Sequence, residues 1–289
     1  MHLRQRWCPG LAVAVLLSWT NGQILCADNS PERGSAGSPA AATHADGFQL
    51  GLQTREETNP GSGLYRTVLT SETWDPGKMA VIVCDVWDSH HCLNAVRRVQ
   101  EMAPRMNQFL QAVRRRGALV IHAPSGCMAS YENHPARLRA KNAPTAANLP
   151  PGIGQWCDRI PAEEKGVYPI DQSDGGEDDD KAEHARWADQ LKAQGRNPRA
   201  PWKSQIDVLE IRDQDAISDS GVEVWNLLEQ RGIRNVIVFG VHTNMCVLGR
   251  PFGLRQLAKN RKHVVLVRDL TDTMYNPERP PQVSHFSGT

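Results

Sequence analysis

Residues Asn235–Arg250 read NVIVFGVHTNMCVLGR, and how that stretch divides decides the fold. Val236 to Phe239 are apolar and mostly β-branched, a run too short and too continuous for a surface helix, which predicts a buried strand. Gly240 breaks the run and the polar turn His242-Thr243-Asn244 follows. Cys246 then stands where an apolar-periodic segment opens with Val247, Leu248, Leu254 and Leu257. A cysteine at a strand-to-helix junction meets the first free backbone N–H groups and the positive end of the helix dipole, both of which favour thiolate over thiol. The same N–H groups could hold the oxyanion formed when a thiolate attacks a carbonyl. The plainer reading is that Cys246 is one more small buried hydrophobe. Against it stands the position at the C-terminal end of a sheet strand, where open α/β folds bind ligands.

Outward from this stretch the chain repeats one grammar. Met79 to Val83 is a continuous strand run ending in Cys84-Asp85, and an acid at a strand tip is costly unless it is paired, caps a turn or is functional. Asp88 and Ser89 are N-cap candidates. From Leu93 to Arg116 apolar residues recur at helical spacing, with arginines on the other faces, which predicts an amphipathic surface helix. Gly117 ends it, and Ala118 to His122 is a second strand, completing a βαβ unit. Ile206 to Ile211 reads as a third strand ending in Arg212. A helix follows from Asp219 or Ser220 to Gly232, then the central strand, the Cys246 helix and a last strand, His263 to Val267. The pattern predicts an α/β fold, a three-layer α/β/α sandwich with a doubly wound, mainly parallel sheet.

The remaining segments give a domain plan. Arg4 and Arg6 precede a short apolar run, Leu11 to Trp19, and small residues surround Ala27, so residues 1–27 read as a signal peptide and the protein as exported, periplasmic or secreted. Residues 28–46 are rich in Ser, Ala, Pro and Gly and read as a disordered linker. Residues 47–75 read as a small β extension, and 76–289 as the domain, with an irregular insertion at about 124–205. Within the insertion, Asp171 to Asp180 (DQSDGGEDDD) matches no calcium-loop spacing and reads as a solvated acidic turn. The formal net charge of +1 over 289 residues gives no pointer to nucleic acid, and no segment reads as a lasting membrane span. Five cysteines follow the leader, an odd number, which fits one reactive thiol beside up to two disulfides.

With Asp85 after the first strand, a basic residue after the third and GVHTNMCV after the fourth, the chain resembles the isochorismatase-like cysteine hydrolases, which include nicotinamidases, related amidases and isochorismatases. The resemblance spans roughly Lys78 to Thr289 and rests on VIVCD, on RGI-x-x-VIVFGVHTNMCV and on VVLVRD. It implies a triad in which Cys246 is the nucleophile and Asp85 relays its proton. The N–H groups of Met245 and Cys246 would form the oxyanion hole, and the Val241–His242 peptide would be cis. The family lysine has no direct match. Arg212 is expected in its place, with Lys203 the fallback, although arginine cannot give up a proton. Gly249-Arg250-Pro251 also departs from the family pattern, which often has a threonine there.

The nicotinamidase Asp-x-His metal motif has no match in HAPSGCMASYENH, and His90, His91, His122 and His134 each read as surface or hydrogen-bonded histidines. No metal and no cofactor are therefore expected. The expected partners are a small-molecule substrate and, since the family is often oligomeric, further copies of the chain. The expected activity is hydrolysis of an amide or related bond. The alternative is an isochorismatase-fold binding protein impaired by the missing lysine. Disulfide exchange is disfavoured because no C-x-x-C occurs.

Overall fold

The computed structural model describes residues 14–15, 47–163 and 170–289. The leader and linker readings lie outside the described residues, except for a two-residue strand, β1 (Ala14–Val15). Strands β2 (Phe48–Glu57) and β3 (Tyr65–Trp74) form an antiparallel hairpin, in register from Phe48 opposite Trp74 to Glu57 opposite Tyr65. At its base Phe48, Leu50, Leu52 and Trp74 are buried, so the alternation read along β2 is the pleat of a half-buried strand.

The parallel sheet starts with β4 (Met79–Cys84), and α1 (Leu93–Arg115) carries the chain back to β5 (Leu119–Ala123). Helices α2 (Pro135–Lys141) and α3 (Lys181–Ala193) belong to the insertion. Then follow β6 (Ala216–Ile217), α4 (Gly221–Gln230), β7 (Asn235–Val241), α5 (Leu254–Lys259), β8 (His263–Asp272) and a last turn of helix, α6 (His285–Gly288). The five parallel strands lie in the order β8-β7-β4-β5-β6, and the hairpin joins beyond β8 through β1.

Alternation along the strands builds three layers. Met79, Val81, Val83, Ile237 and Phe239 face one side, where α1 presents Val99, Met106, Leu110 and Val113. Ala80, Ile82, Val236 and Val238 face the other, against Val224, Leu227 and Leu228 of α4 and Leu257 of α5. Both faces are covered, which is why these strands read as unbroken apolar runs. Burying each such valine, leucine or isoleucine contributes roughly 1.5–3 kcal/mol.

The strand order turns back on itself between β4 and β7, whose tips carry Asp85 and the Cys246 turn. Two neighbouring strands whose connections leave in opposite directions open a crevice at their C-terminal ends. Gly240 keeps the two strands close: its φ is 131°, and a Cβ there would lie 1.9 Å from the Cys84 carbonyl oxygen.

Two expectations are corrected. Ile206–Ile211 is not a strand. Its Val208 is exposed, and the strand beside β5 is the short β6, paired through Ile121–Ala216 and His122–Ile217. The apolar letters of 206–211 cover the end of the core on the α1 side as a loop, with Leu209 buried, instead of entering the ladder. Second, α1 is not capped by Asp88 or Ser89. Its first N–H groups, of Leu93 and Asn94, donate to the Asp179 carboxylate of the insertion at 2.7 Å each, which serves as a cap supplied from afar.

Candidate active site

Asp85 is completely buried and sits at φ 50°, a left-handed conformation that non-glycine residues rarely hold and that points to a constrained site. Its backbone is fixed on both sides: its N–H donates to the Ala123 carbonyl at 3.1 Å, and its carbonyl accepts from Trp87 at 2.9 Å. The carboxylate takes the Ser125 N–H on Oδ1 at 2.7 Å and the Arg250 Nε on Oδ2 at 3.0 Å.

Cys246 lies in the short π-helical turn Thr243–Val247 that leaves β7, and the Val241–His242 peptide before it is cis. Its thiol interacts directly with both the Asp85 carboxylate and the Arg250 guanidinium. Three side chains from two strand ends thus meet in one place. Burial, and then the Asp85 charge, push the Cys246 thiol up to about 12, against the pull of Arg250. This reverses the expectation that a helix start would favour thiolate. Cys246 is the fourth residue of its turn and not the first, and desolvation with a carboxylate beside it outweighs any dipole there. Burial likewise pushes the Asp85 carboxyl up, while Arg250 and Ser125 draw it down. The resting pair is therefore a thiol beside a buried, comparatively basic carboxylate.

The cation is Arg250, four residues after the nucleophile candidate. Arg212 is elsewhere, exposed and ion-paired with Glu210. Lys203 is also exposed, and what it contributes to the fold is its backbone: its N–H bonds Asp88 and its carbonyl accepts from Ser130. Both expectations followed from taking 206–211 as a strand. Arg250 had a legible signal, because a residue four positions on lies one helical turn along the same face. Of the two expected oxyanion donors, one is engaged elsewhere. The Met245 N–H already donates to the His242 carbonyl at 3.0 Å, so it is spent inside the turn.

The insertion closes over Arg250. Trp156 packs against Gly249, where any Cβ would come within 2.4 Å of the indole, and the Arg250 guanidinium lies 5.7 Å from the indole centre. That segment is clamped by backbone and side-chain bonds: Cys157 N–H to the Gly249 carbonyl at 2.8 Å, and Gln256 Nε2 to the Gly152 and Gln155 carbonyls at 2.9 Å each. Trp87 stacks on Trp202 at 4.3 Å and donates Nε1 to the Ser125 carbonyl at 3.1 Å, bracing the other side. Sequence reasoning missed Ser125 and Trp156, since both come from the irregular insertion, where no periodicity marks them.

Three of the four histidines singled out in the sequence hold hydrogen bonds that support the fold. His122 is fully buried between Gln205, at 2.8 Å, and Asp215, at 3.2 Å. His134 caps α2 by accepting the Ala136 N–H. His90 accepts the Cys92 N–H. Cys84, Cys92, Cys127, Cys157 and Cys246 are all free thiols, so none of the disulfides allowed by the cysteine count forms among the described residues. No helix among the described residues is long and apolar enough to cross a membrane.

No protein-family model matches the sequence, and no curated protein matches it. Among solved structures, a cysteine hydrolase from Pseudomonas syringae pv. phaseolicola 1448A is 18% identical over 70% of this chain and 76% of that one, with a TM-score of 0.34. An isochorismatase family protein from Desulfovibrio vulgaris subsp. vulgaris str. Hildenborough is 15% identical over 67% of this chain and 81% of that one, with a TM-score of 0.35. An isochorismatase from Pseudomonas putida KT2440 is 14% identical over 69% and 73% of the two chains, with a TM-score of 0.36. At these identities and scores, the functional reading rests on the geometry of this chain's own site.

Proposed function

We propose that the protein is a cysteine hydrolase of the isochorismatase-like kind, cleaving an amide or related bond of a small molecule. The observation that carries this is the meeting of the Cys246 thiol, the buried Asp85 carboxylate and the Arg250 guanidinium at the crevice between β4 and β7. The Sγ–H proton passes to Asp85 as sulfur attacks the carbonyl carbon, so no free thiolate has to exist beforehand. Asp85 returns that proton to the leaving nitrogen as the C–N bond breaks, leaving a thioester. Water, deprotonated by Asp85, then hydrolyses the thioester and restores the thiol. Arg250 holds the carboxylate in place and offsets the negative charge that builds in the site, but it takes no proton. Replacing Cys246 by Ala should abolish turnover across a panel of small amides while the fold is retained. Unchanged turnover by that variant would refute the reading.

A second reading, a binding protein that keeps the fold without catalysis, draws on the high thiol pKa of about 12 and on the engaged Met245 N–H. It expects wild-type protein to turn over no amide while still binding a small molecule at the crevice. Export by the segment containing Arg4, Arg6 and Leu11 to Trp19 is part of the proposal. N-terminal sequencing of protein secreted by an expressing cell should find chains starting near residue 28.

A further inference from the structure

On one side the sheet ends in an edge that nothing covers. β3 is the outermost strand, ten residues long, and its outer side meets no other strand among the described residues. The opposite edge differs, since β6 has two residues and both are buried. An open edge presents a row of free N–H and C=O groups, a template for another strand, and folded proteins usually keep such edges short, covered or crowded with charge. β3 is none of these. Leu64, Tyr65 and Leu69 stand along it, 68%, 40% and 71% exposed.

The edge is also held ready. At the base of the hairpin Trp74 is buried, with its ring 5.1 Å from that of His263 on β8, and the Phe48 ring lies 6.3 Å from that of Phe109 on α1. At the tip the Glu57 carboxylate accepts the Gly61 and Gly63 N–H groups at 2.9 and 2.7 Å, and the Thr58 N–H donates to the Leu64 carbonyl at 2.8 Å. A strand fixed at both ends has little ordering left to lose on binding.

The sequence of β3, YRTVLTSETW, matches its own reverse. Two copies joined edge to edge in one continuous antiparallel sheet are related by a twofold axis normal to the sheet. Such an axis keeps each side chain on its own face and pairs only residues of the same parity. With the axis at Leu69, the overlap runs from Tyr65 to Thr73. Leu69 then meets Leu69 of the second copy, Val68 meets Thr70, and Thr67 meets Ser71. Arg66 and Glu72, the only charged residues of the strand, fall opposite each other twice. The register of equal length centred on Thr70 sets Arg66 against Trp74 and Val68 against Glu72, and it pairs no charges.

Both charged side chains are within reach of a partner, Arg66 being 68% and Glu72 40% exposed. Arg66 contacts Glu56 across the hairpin at 3.2 Å, so in the pair it stands between two carboxylates on one face. Glu72 accepts the Trp74 Nε1–H at 2.7 Å, which holds its carboxylate at the edge.

We propose that β3 is a self-association edge. Two copies of the chain pair β3 to β3, antiparallel about Leu69, with Arg66 of each copy facing Glu72 of the other. The inference is independent of the hydrolase reading.

The test is sedimentation equilibrium of the full chain over a concentration series, under reducing conditions that exclude cross-linking by the free thiols. A monomer–dimer equilibrium is expected. Arg66→Glu and Glu72→Arg each set like charges opposite each other twice, and each should weaken dimerisation at least about tenfold. Mixing these two variants should restore it, because every facing pair in the mixed dimer again has opposite signs. Neither a folding defect nor an interface elsewhere on the molecule produces that recovery. Leu69→Lys sets two ammonium groups against each other at the axis and should weaken the dimer as well. A monomer at every concentration would overturn the proposal and leave the edge to a different partner. A dimer that all three variants leave unchanged, or a mixture of the two charge variants that stays monomeric, would overturn it too.

Discussion

Arg250 Nε donates to Asp85 Oδ2 at 3.0 Å across 165 positions of sequence, and this pair sets the electrostatics of the Cys246 crevice. Asp85 is buried while Arg250 keeps an exposed edge, so the guanidinium is the link between a desolvated acid and the outside. Removing it as Arg250→Ala leaves a buried carboxylate with the Ser125 N–H and the neighbouring thiol. We expect a stability loss of about 2 kcal/mol, discounted for the partial exposure of Arg250, together with loss of hydrolysis. Arg250→Lys should recover stability better than activity, because a point charge cannot reproduce the directed Nε contact. Arg212→Ala should leave both within experimental error. Urea unfolding and amide turnover on the three variants distinguish these outcomes.

Thiol reactivity should depend on pH in a way that reports on Asp85. With Cys246 pushed up to about 12 by burial and by the Asp85 charge, alkylation by iodoacetamide should be slow at neutral pH and still rising at pH 10. Asp85→Asn removes the negative neighbour, which stabilises the thiolate, so the Cys246 titration should move down and alkylation at pH 9 should speed up. Peptide-level mass spectrometry follows Cys246 apart from the four buried cysteines. An unchanged profile in Asp85→Asn would mean that the two groups do not sense each other.

Acid stability should contain a component from Asp178. Burial alone would raise its carboxyl, but His285 and Arg98 hold it down to about 2, below the usual 3.8. A depressed folded value means the contribution is complete above about pH 4 and is lost as pH falls towards 2. Its size is on the order of 2 kcal/mol. Urea midpoints measured at pH 5, 3 and 2 should fall more steeply for wild type than for Asp178→Asn.

Gly240→Ala tests the closeness of β4 and β7. The added methyl would meet the Cys84 carbonyl at 1.9 Å from a φ of 131°, so both sterics and backbone oppose it. We expect destabilisation of about 4 kcal/mol or more, visible as loss of the cooperative thermal transition.

Much of the layered architecture was readable because its signals are local. Unbroken β-branched runs such as Met79–Val83 and Val236–Phe239 belong to strands covered on both faces, and the helical spacing from Leu93 onward became α1. The error at Ile206–Ile211 shows the limit of such signals. A short apolar run forms a strand only where a neighbouring edge is free, and β5 instead accepted the two residues Ala216–Ile217. Misplacing that strand carried the triad cation to Arg212. The insertion was unreadable for a related reason, since Ser125 and Trp156 are positioned by contacts with distant residues and not by any repeat.

By itself the sequence determined the layers, the alternation of strand and helix, and the two strand tips where chemistry was to be sought, because burial patterns and breaks are written residue by residue. Only the tertiary structure decided which cation stands beside Asp85 and that Cys246 rests as a thiol. Desolvation and charge proximity depend on where remote segments arrive in space, and no local pattern encodes that.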